Sequence, residues 1–345
     1  MLRFPRPLRP GDGIAVTAPS AGVPAALHPR LQRALAVLRE RGYRVIEGEC
    51  LRASHRHVSA PARARAAELM QFLTDPTIAA VIPPWGGELA LELLPLLDYA
   101  RLAAQPPVWL SGFSDISTLQ LALATRAGWA SLHGPALMEL AADPLDPLSA
   151  RLFEVLTTAP GETIEQHAST HHQREDADWI REPAAGLRRI HPTRWARLDG
   201  RDAPLRLRGR LLGGCLDTWS RLAGTPYGDV PGLRQRAGAD GLLLHLENAE
   251  MRPCELARAL LALRLHGWFD GLQGVLIGRH AATDAAAADA LDLRGAVELA
   301  LGDLDCPVLI DLDIGHQPPQ LSLVNGALAE VHCADGGGWV RQRWG

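Results

Sequence analysis

Val108-Trp109-Leu110-Ser111-Gly112-Phe113-Ser114-Asp115-Ile116-Ser117-Thr118-Leu119 runs an apolar strand into a Gly-x-Ser-Asp turn with a helical pattern directly behind it. A chain that changes from strand to helix in so few residues must turn sharply. Gly112 lets the backbone pass closely beneath the turn, and the serine hydroxyl is lifted clear of it. The helix behind Ser114 has free N–H groups in its first turn, which can meet a developing oxyanion. This is the logic of a nucleophile elbow, although the sequence is not Gly-x-Ser-x-Gly. The same residues also describe a serine that only caps a helix.

Outward from this turn, the N-terminal half alternates short apolar runs with helical spacing. Strands are expected at Gly13 to Thr17, Tyr43 to Ile46, Ala79 to Ile82 and Val108 to Leu110, and helices at Pro29 to Arg41, Ala62 to Leu73, Glu88 to Leu94 and Ile116 to Thr125. Leu31, Leu35 and Leu38 share one helical face. Alternation of this kind predicts an α/β fold with a wound parallel sheet. The stretch Pro160 to Asp202, which holds His167, His171 and His172 and many charges, has no long apolar period and reads as a linker or an ordered excursion. A second unit begins near Leu205, with strands at Leu242 to Leu246, Gly274 to Gly278 and Val308 to Ile310 and helices at Pro253 to His266 and within Ala281 to Leu301. Asn325-Gly326 between two apolar runs predicts a tight hairpin. The expected division is 1–159 for the nucleophile domain, 160–204 for the inter-domain segment and 205–345 for a C-terminal domain.

Length and composition agree with two globular domains: 345 residues, 47% hydrophobic and 21% charged. A net charge of -4 and scattered arginines give no reason to expect a nucleic-acid partner. The five cysteines are far apart and form no CxxC pair, which fits reduced thiols in a cytoplasm. The N-terminus has no apolar segment of signal-peptide type, and no apolar run reaches the length of a membrane span, so a cytoplasmic protein without membrane attachment is expected.

Three further segments carry candidate chemistry. Gly86-Gly87, after the third strand, would let a backbone N–H approach a substrate, or simply form a turn. Glu247 ends the apolar strand Leu242 to Leu246, a position that often faces a site in α/β proteins. His316 follows a strand and a glycine in a loop. A metal hydrolase reading would use His167 with His171 and Glu165 or Asp176, on a helix that Gly161, Ser169 and Thr170 disfavour. A dinucleotide-binding reading lacks Gly-x-Gly-x-x-Gly after the first strand. An inactive ligand-binding protein is the non-enzyme alternative.

As a set these segments resemble the LD-carboxypeptidase (muramoyltetrapeptide carboxypeptidase) family of serine peptidases over nearly the whole chain. The resemblance rests on Ile14 to Ser20, Gly86-Gly87, Gly112 to Asp115, His133-Gly134-Pro135, Leu212-Gly213-Gly214, Gly224-Thr225-Pro226, Leu246-Glu247-Asn248 and Gly315-His316. It implies a Rossmann-like N-terminal domain, a smaller swivelling C-terminal β/α domain, no metal or cofactor, and a cytoplasmic homodimer. It implies Ser114 as nucleophile, His316 as base, Glu247 as the acid that orients it, and the Gly87 and Asp115 N–H groups as oxyanion donors. Cys215 stands where the family often has Asn, and Gly86-Gly87-Glu88-Leu89 replaces the Gly-Gly-Tyr-Gly turn of the murein enzymes. The form around Gly86 is closer to the branch that includes microcin C self-immunity peptidases, which act on peptidyl or aminoacyl nucleotide amides. A small peptide or peptidyl nucleotide is thus the expected substrate. Gly86, Cys215, Trp179 (or Trp195, for a stacked base) and Arg258 are expected near it. Arg258 could equally be the partner of Glu255 on its own helix.

Overall fold

The computed structural model describes residues 2–175, 177–285, 287 and 289–345. Among them the strands form a six-stranded, an eight-stranded and a two-stranded sheet. The first sheet holds β1 (Gly13–Val16), β2 (Arg44–Glu47), β3 (Ile78–Val81), β4 (Trp109–Gly112) and β5 (Leu132–His133). These five run parallel in the order β5-β4-β3-β1-β2. β1, β3 and β4 are buried along their whole length, as strands covered on both faces must be. Helices His28–Glu40, Ala62–Thr74 and Ile116–Ala122 lie between the strands in sequence and bury Leu31, Leu35, Leu69, Phe72 and Leu119. The segment expected to be helical up to Pro95 is instead a 3-10 helix, Ala90–Leu96, which continues through the proline. A ring without an N–H is tolerated there because the segment is too short to need a regular i−4 ladder.

The stretch 160–204 adds strands of its own. β6 (Thr163–His167) pairs with the C-terminal strand, and β7 (His171–His172) pairs with β8 (His191–Pro192). β9 (Ala196–Arg197) closes the far edge of the large sheet. His167 and His171 therefore sit on strands rather than one helical face, and Asp176 lies outside the described residues.

The large sheet is built on β10 (Leu205–Cys215), β11 (Leu242–Glu247), β12 (Gly274–Gly278) and β13 (Val308–Leu312), all parallel. Helices Pro253–Leu265 and Leu293–Leu301 connect these strands. The helix expected within Ala281 to Leu301 is thus confined to its last nine residues, and residues 286 and 288 lie outside the described set.

Asn325-Gly326 makes a tight turn, Ala327 N–H donating to Val324 O at 3.0 Å, but no hairpin. β14 (Leu323–Val324) pairs with β5 in the first sheet. β15 (Leu328–Ala334) pairs with β10 in the second, and β16 (Gly337–Arg343) pairs with β15. The turn thus hands the chain from one sheet to the other. Asn325 is buried and holds the crossing: Nδ2 donates to Ser131 Oγ (3.3 Å) and Gly213 O (3.2 Å), and Oδ1 accepts from Gly213 N–H (2.8 Å).

Candidate active site

Ser114 sits between the end of β4 and the helix Ile116–Ala122 at φ +59°. An L-residue other than Asn or Asp rarely adopts that angle. Local bonds hold it: Ser117 N–H (2.9 Å) and Ser117 Oγ (2.6 Å) both donate to Ser114 O, and Ile116 N–H donates to Phe113 O at 3.2 Å. Strain of this kind persists where surrounding structure over-determines it.

The second sheet brings up the other two groups. Glu247 is the last residue of β11 and is 1% exposed. His316 lies in the loop after β13. Ser114 Oγ is 3.0 Å from His316 Nε2, and Glu247 Oε2 is 2.8 Å from His316 Nδ1. An ionised carboxylate only accepts, so Nδ1 carries the proton and Nε2 is free to accept from the serine hydroxyl. Burial pulls the His316 pKa down, but the charge and hydrogen bond of Glu247, aided by Asp217 and Glu139, outweigh it and leave the imidazole raised. Gly315, at φ +93°, makes the approach possible: a Cβ there would lie 2.4 Å from Glu247 Oε2.

Gly86 lies against Ser114, where a Cβ would come within 2.7 Å of Ser114 Cβ and 2.9 Å of Asp115 N. The Gly87 and Asp115 amides make no intramolecular hydrogen bond among the described residues. The Asp115 carboxylate is turned away from the site. It is buried and accepts from Ser20 Oγ (2.5 Å), Ala90 N–H (2.7 Å) and Thr118 Oγ1 (3.3 Å), and burial raises its pKa against those bonds.

Two cavities meet at Ser114. The first, about 630 Å³, is lined by Trp85, Phe113, Met138, Glu139 and Trp179 as well as Gly86, Gly87, Ser114 and His316. Trp179 is half-buried and stacks on the Arg30 guanidinium, 3.9 Å from its ring centroid. The second, about 670 Å³, holds Glu88, Cys215, Asp217, Arg221 and Arg258, and also touches Gly87, Ser114 and His316. Arg258 makes no ion pair with Glu255, whose Oε2 instead accepts from Arg252 N–H at 3.2 Å. Cys215 is buried opposite Glu247 in the β10–β11 register, and burial beside that carboxylate pushes its thiol pKa well up. Trp195 is not in either cavity. It is 1% exposed, and its Nε1–H donates to Asp313 Oδ2 at 2.7 Å.

That last contact belongs to a network that the sequence did not reveal. Arg279 and Asp313 form a buried ion pair at 2.8 Å, and Arg279 also donates to the carbonyls of Gln317 (2.6 Å) and Pro319 (2.7 Å). These bonds bracket His316 on both sides. Asp217 does the same for the loop behind Glu247, accepting from Ala249 N–H (2.9 Å) and Glu250 N–H (3.0 Å). Asp311-Leu312-Asp313 before Gly315-His316 was the available signal, but an aspartate in a loop does not announce a buried arginine partner.

Among the described residues no group of three or more His, Cys, Asp or Glu side chains is placed to hold a metal ion, and no helix is long and apolar enough to cross a membrane.

A two-domain α/β fold with a serine, a histidine and a buried carboxylate in line is a hydrolase architecture. The chain belongs to the LD-carboxypeptidase family: residues 14–134 match its N-terminal domain and residues 208–331 its C-terminal domain. It is 30% identical to the murein tetrapeptide carboxypeptidase of Pseudomonas aeruginosa over 256 residues, 74% of this chain and 72% of that one. It is 24% identical to the microcin C7 self-immunity protein MccF of Escherichia coli over 323 residues, 93% of this chain and 92% of that one. Its fold is similar to that of MccF in complex with aspartyl sulfamoyl adenosine, with a TM-score of 0.83 at 22% identity over 99% and 98% of the two chains. The muramoyltetrapeptide carboxypeptidase from Oxalobacter formigenes gives a TM-score of 0.72 at 23% identity over 96% and 98%.

Proposed function

We propose that this protein is a serine peptidase that cleaves an amide near a carboxyl terminus, with Ser114 as nucleophile, His316 as general base and Glu247 as orienting acid. The observation that carries the reading is the continuous line of contacts from Ser114 Oγ through the imidazole to Glu247, at 3.0 and 2.8 Å. In this mechanism His316 Nε2 takes the hydroxyl proton as Ser114 Oγ bonds to the amide carbon. The Gly87 and Asp115 N–H groups receive the oxyanion. The imidazolium then gives its proton to the leaving nitrogen as the C–N bond breaks. Water, deprotonated by the same imidazole, attacks the acyl-serine and restores Ser114. Glu247 stays ionised and stabilises the imidazolium throughout. Residues 1–159 and 205–345 are taken as the two domains, with the reaction at their junction.

The second reading is hydrolysis of a peptidyl or aminoacyl nucleotide amide. Trp179 favours it, since its ring lines the first cavity and is held by the Arg30 guanidinium, 3.9 Å from its centroid. An aromatic face held in this way suits a stacked base.

Fluorophosphonate labelling tests the serine mechanism. Wild-type protein should be labelled at Ser114, and Ser114→Ala should fold normally while losing about 10⁶-fold in turnover, the scale of a missing triad nucleophile. A variant that keeps a sizeable share of activity removes Ser114 from this role. Parallel assays on a murein tetrapeptide and aspartyl sulfamoyl adenosine separate the two substrate readings.

A further inference from the structure

Three charged side chains line the first cavity, Arg30, Glu139 and Asp178, and the mechanism uses none of them. Glu139 belongs to the short 3-10 helix Leu137–Ala141 and is partly exposed in the cavity wall. One carboxylate oxygen, Oε2, accepts the Ala136 N–H at 2.6 Å, so the side chain is fixed in place. Among the described residues Glu139 has no ion-pair partner within 4.0 Å. The nearby cation, Arg30, is committed elsewhere. It donates to the carbonyls of Met138 (2.8 Å), Pro183 (3.1 Å) and Ala185 (3.1 Å) and supports Trp179. Much of the surrounding wall is apolar, including Leu27, Trp85, Phe113 and Ala142. A carboxylate facing such a wall without a counter-ion is costly, and a cation that joins it recovers that cost.

The second cavity mixes both signs of charge, with Glu88, Asp217, Glu250 and Glu255 lining it beside two arginines. Arg221 and Arg258 both line it, and neither forms an ion pair among the described residues.

We propose that Glu139 receives a primary ammonium of the substrate in the first cavity. The inference rests on the reading of Ser114 as nucleophile. An ammonium fits better than a guanidinium. With one oxygen tied to Ala136 N–H, Glu139 offers a single open oxygen, whereas a guanidinium fork is matched by two. Burial pushes the Glu139 carboxyl up to about 7, against the pull of the Ala136 N–H, His316, Arg30 and the Gln320 side chain.

The test is calorimetric titration of Ser114→Ala protein, which binds without turnover, with aspartyl sulfamoyl adenosine, a murein tetrapeptide, and the N-acetylated form of each. At pH 8 at least one parent should bind about tenfold or more tightly than its acetylated form, the scale of one lost charged hydrogen bond. That preference should shrink at pH 6 as Glu139 takes up a proton. In Ser114→Ala/Glu139→Gln it should fall to about one, the general limit when a discriminating contact is gone, and Glu139→Asp should restore part of it. No preference for either parent in Ser114→Ala overturns the proposal, and so does an unchanged preference in the Gln variant. Should the Gln variant melt early, the pH 6 against pH 8 comparison in Ser114→Ala decides: a preference independent of pH sinks the idea. Failure of the hydrolase reading shows differently, as turnover retained by Ser114→Ala.

Discussion

The two sheets supply the site by opposite means. The first presents Ser114 through its backbone: a φ of +59°, a glycine at position 86 against the hydroxyl, and two uncommitted N–H groups. The second presents Glu247 and His316 through side chains locked from behind, by Arg279 and Asp313 on one loop and Asp217 on the other. The contrast has a consequence for mutation. A side chain placed by the backbone keeps its place when it is trimmed. One placed by a chain of side-chain bonds loses both charge balance and orientation when one link is changed.

Glu247→Gln breaks the second arrangement at its centre, and the largest effect among these variants is expected there. Removing the orienting acid of a serine triad costs about 10⁴-fold in kcat. The remaining activity should also change its pH dependence. His316 must be neutral to accept the proton, so turnover is lost as pH falls through its raised pKa. The unperturbed value is about 6.5, and the wild-type acid limb should lie above it. Without the Glu247 charge that limb should move toward acid. A kcat/KM profile measured from pH 5 to 9 checks both points; an unmoved limb would mean that Glu247 does not set the histidine.

Gly86→Ala attacks the first arrangement without touching a reactive group. The new Cβ would lie 2.7 Å from Ser114 Cβ, 2.8 Å from its Oγ and 2.9 Å from Asp115 N. Something must shift, and one of the colliding atoms is backbone at a proposed oxyanion donor. Loss of about 10²-fold in kcat is expected, the lower end for a displaced oxyanion donor, with KM changed much less. Single-turnover kinetics give the split. If KM carries the loss, Gly86 serves substrate entry rather than the elbow.

The same contrast explains what could be read from the sequence. Backbone-built features are local, and they were legible. The strand–helix alternation from Gly13 to Thr125 gave four of the five parallel strands of the first sheet, and Gly112 to Asp115 marked the elbow. Features built from distant side chains were not. Arg279 and Asp313 are 34 residues apart, and nothing local distinguishes them from surface charges. Glu139 looks like a solvated acid until the fold faces it toward an apolar wall. Trp195 looked like a possible stacking ring, but its indole N–H and its whole body are used in the core. Asn325-Gly326 has the local chemistry of a hairpin turn, and the turn does form. Which sheet each flanking strand then joins is a tertiary matter, set by β5 on one side and β10 on the other.

Arg258→Gln gives the smallest expected effect and the sharpest view of the second cavity. Arg258 lies on the helix Pro253–Leu265 that follows Glu247, and it is exposed. Its i−3 neighbour Glu255 is occupied with the Arg252 N–H, so the helix-surface ion pair that would have explained Arg258 structurally is not formed. A planar fork left open beside the nucleophile suits a carboxylate or a sulfamate, which offers two oxygens. The variant should raise KM for a free-carboxylate peptide about tenfold, the scale of one charged hydrogen bond, and leave kcat nearly unchanged. For the corresponding C-terminal amide the KM ratio should stay near one, because an amide lacks the charge that the fork reads. Arg258→Lys should fall between, keeping the charge but losing the two-point geometry. Equal damage to both substrates would assign Arg258 to the helix surface and leave Arg221 as the anion partner in that cavity.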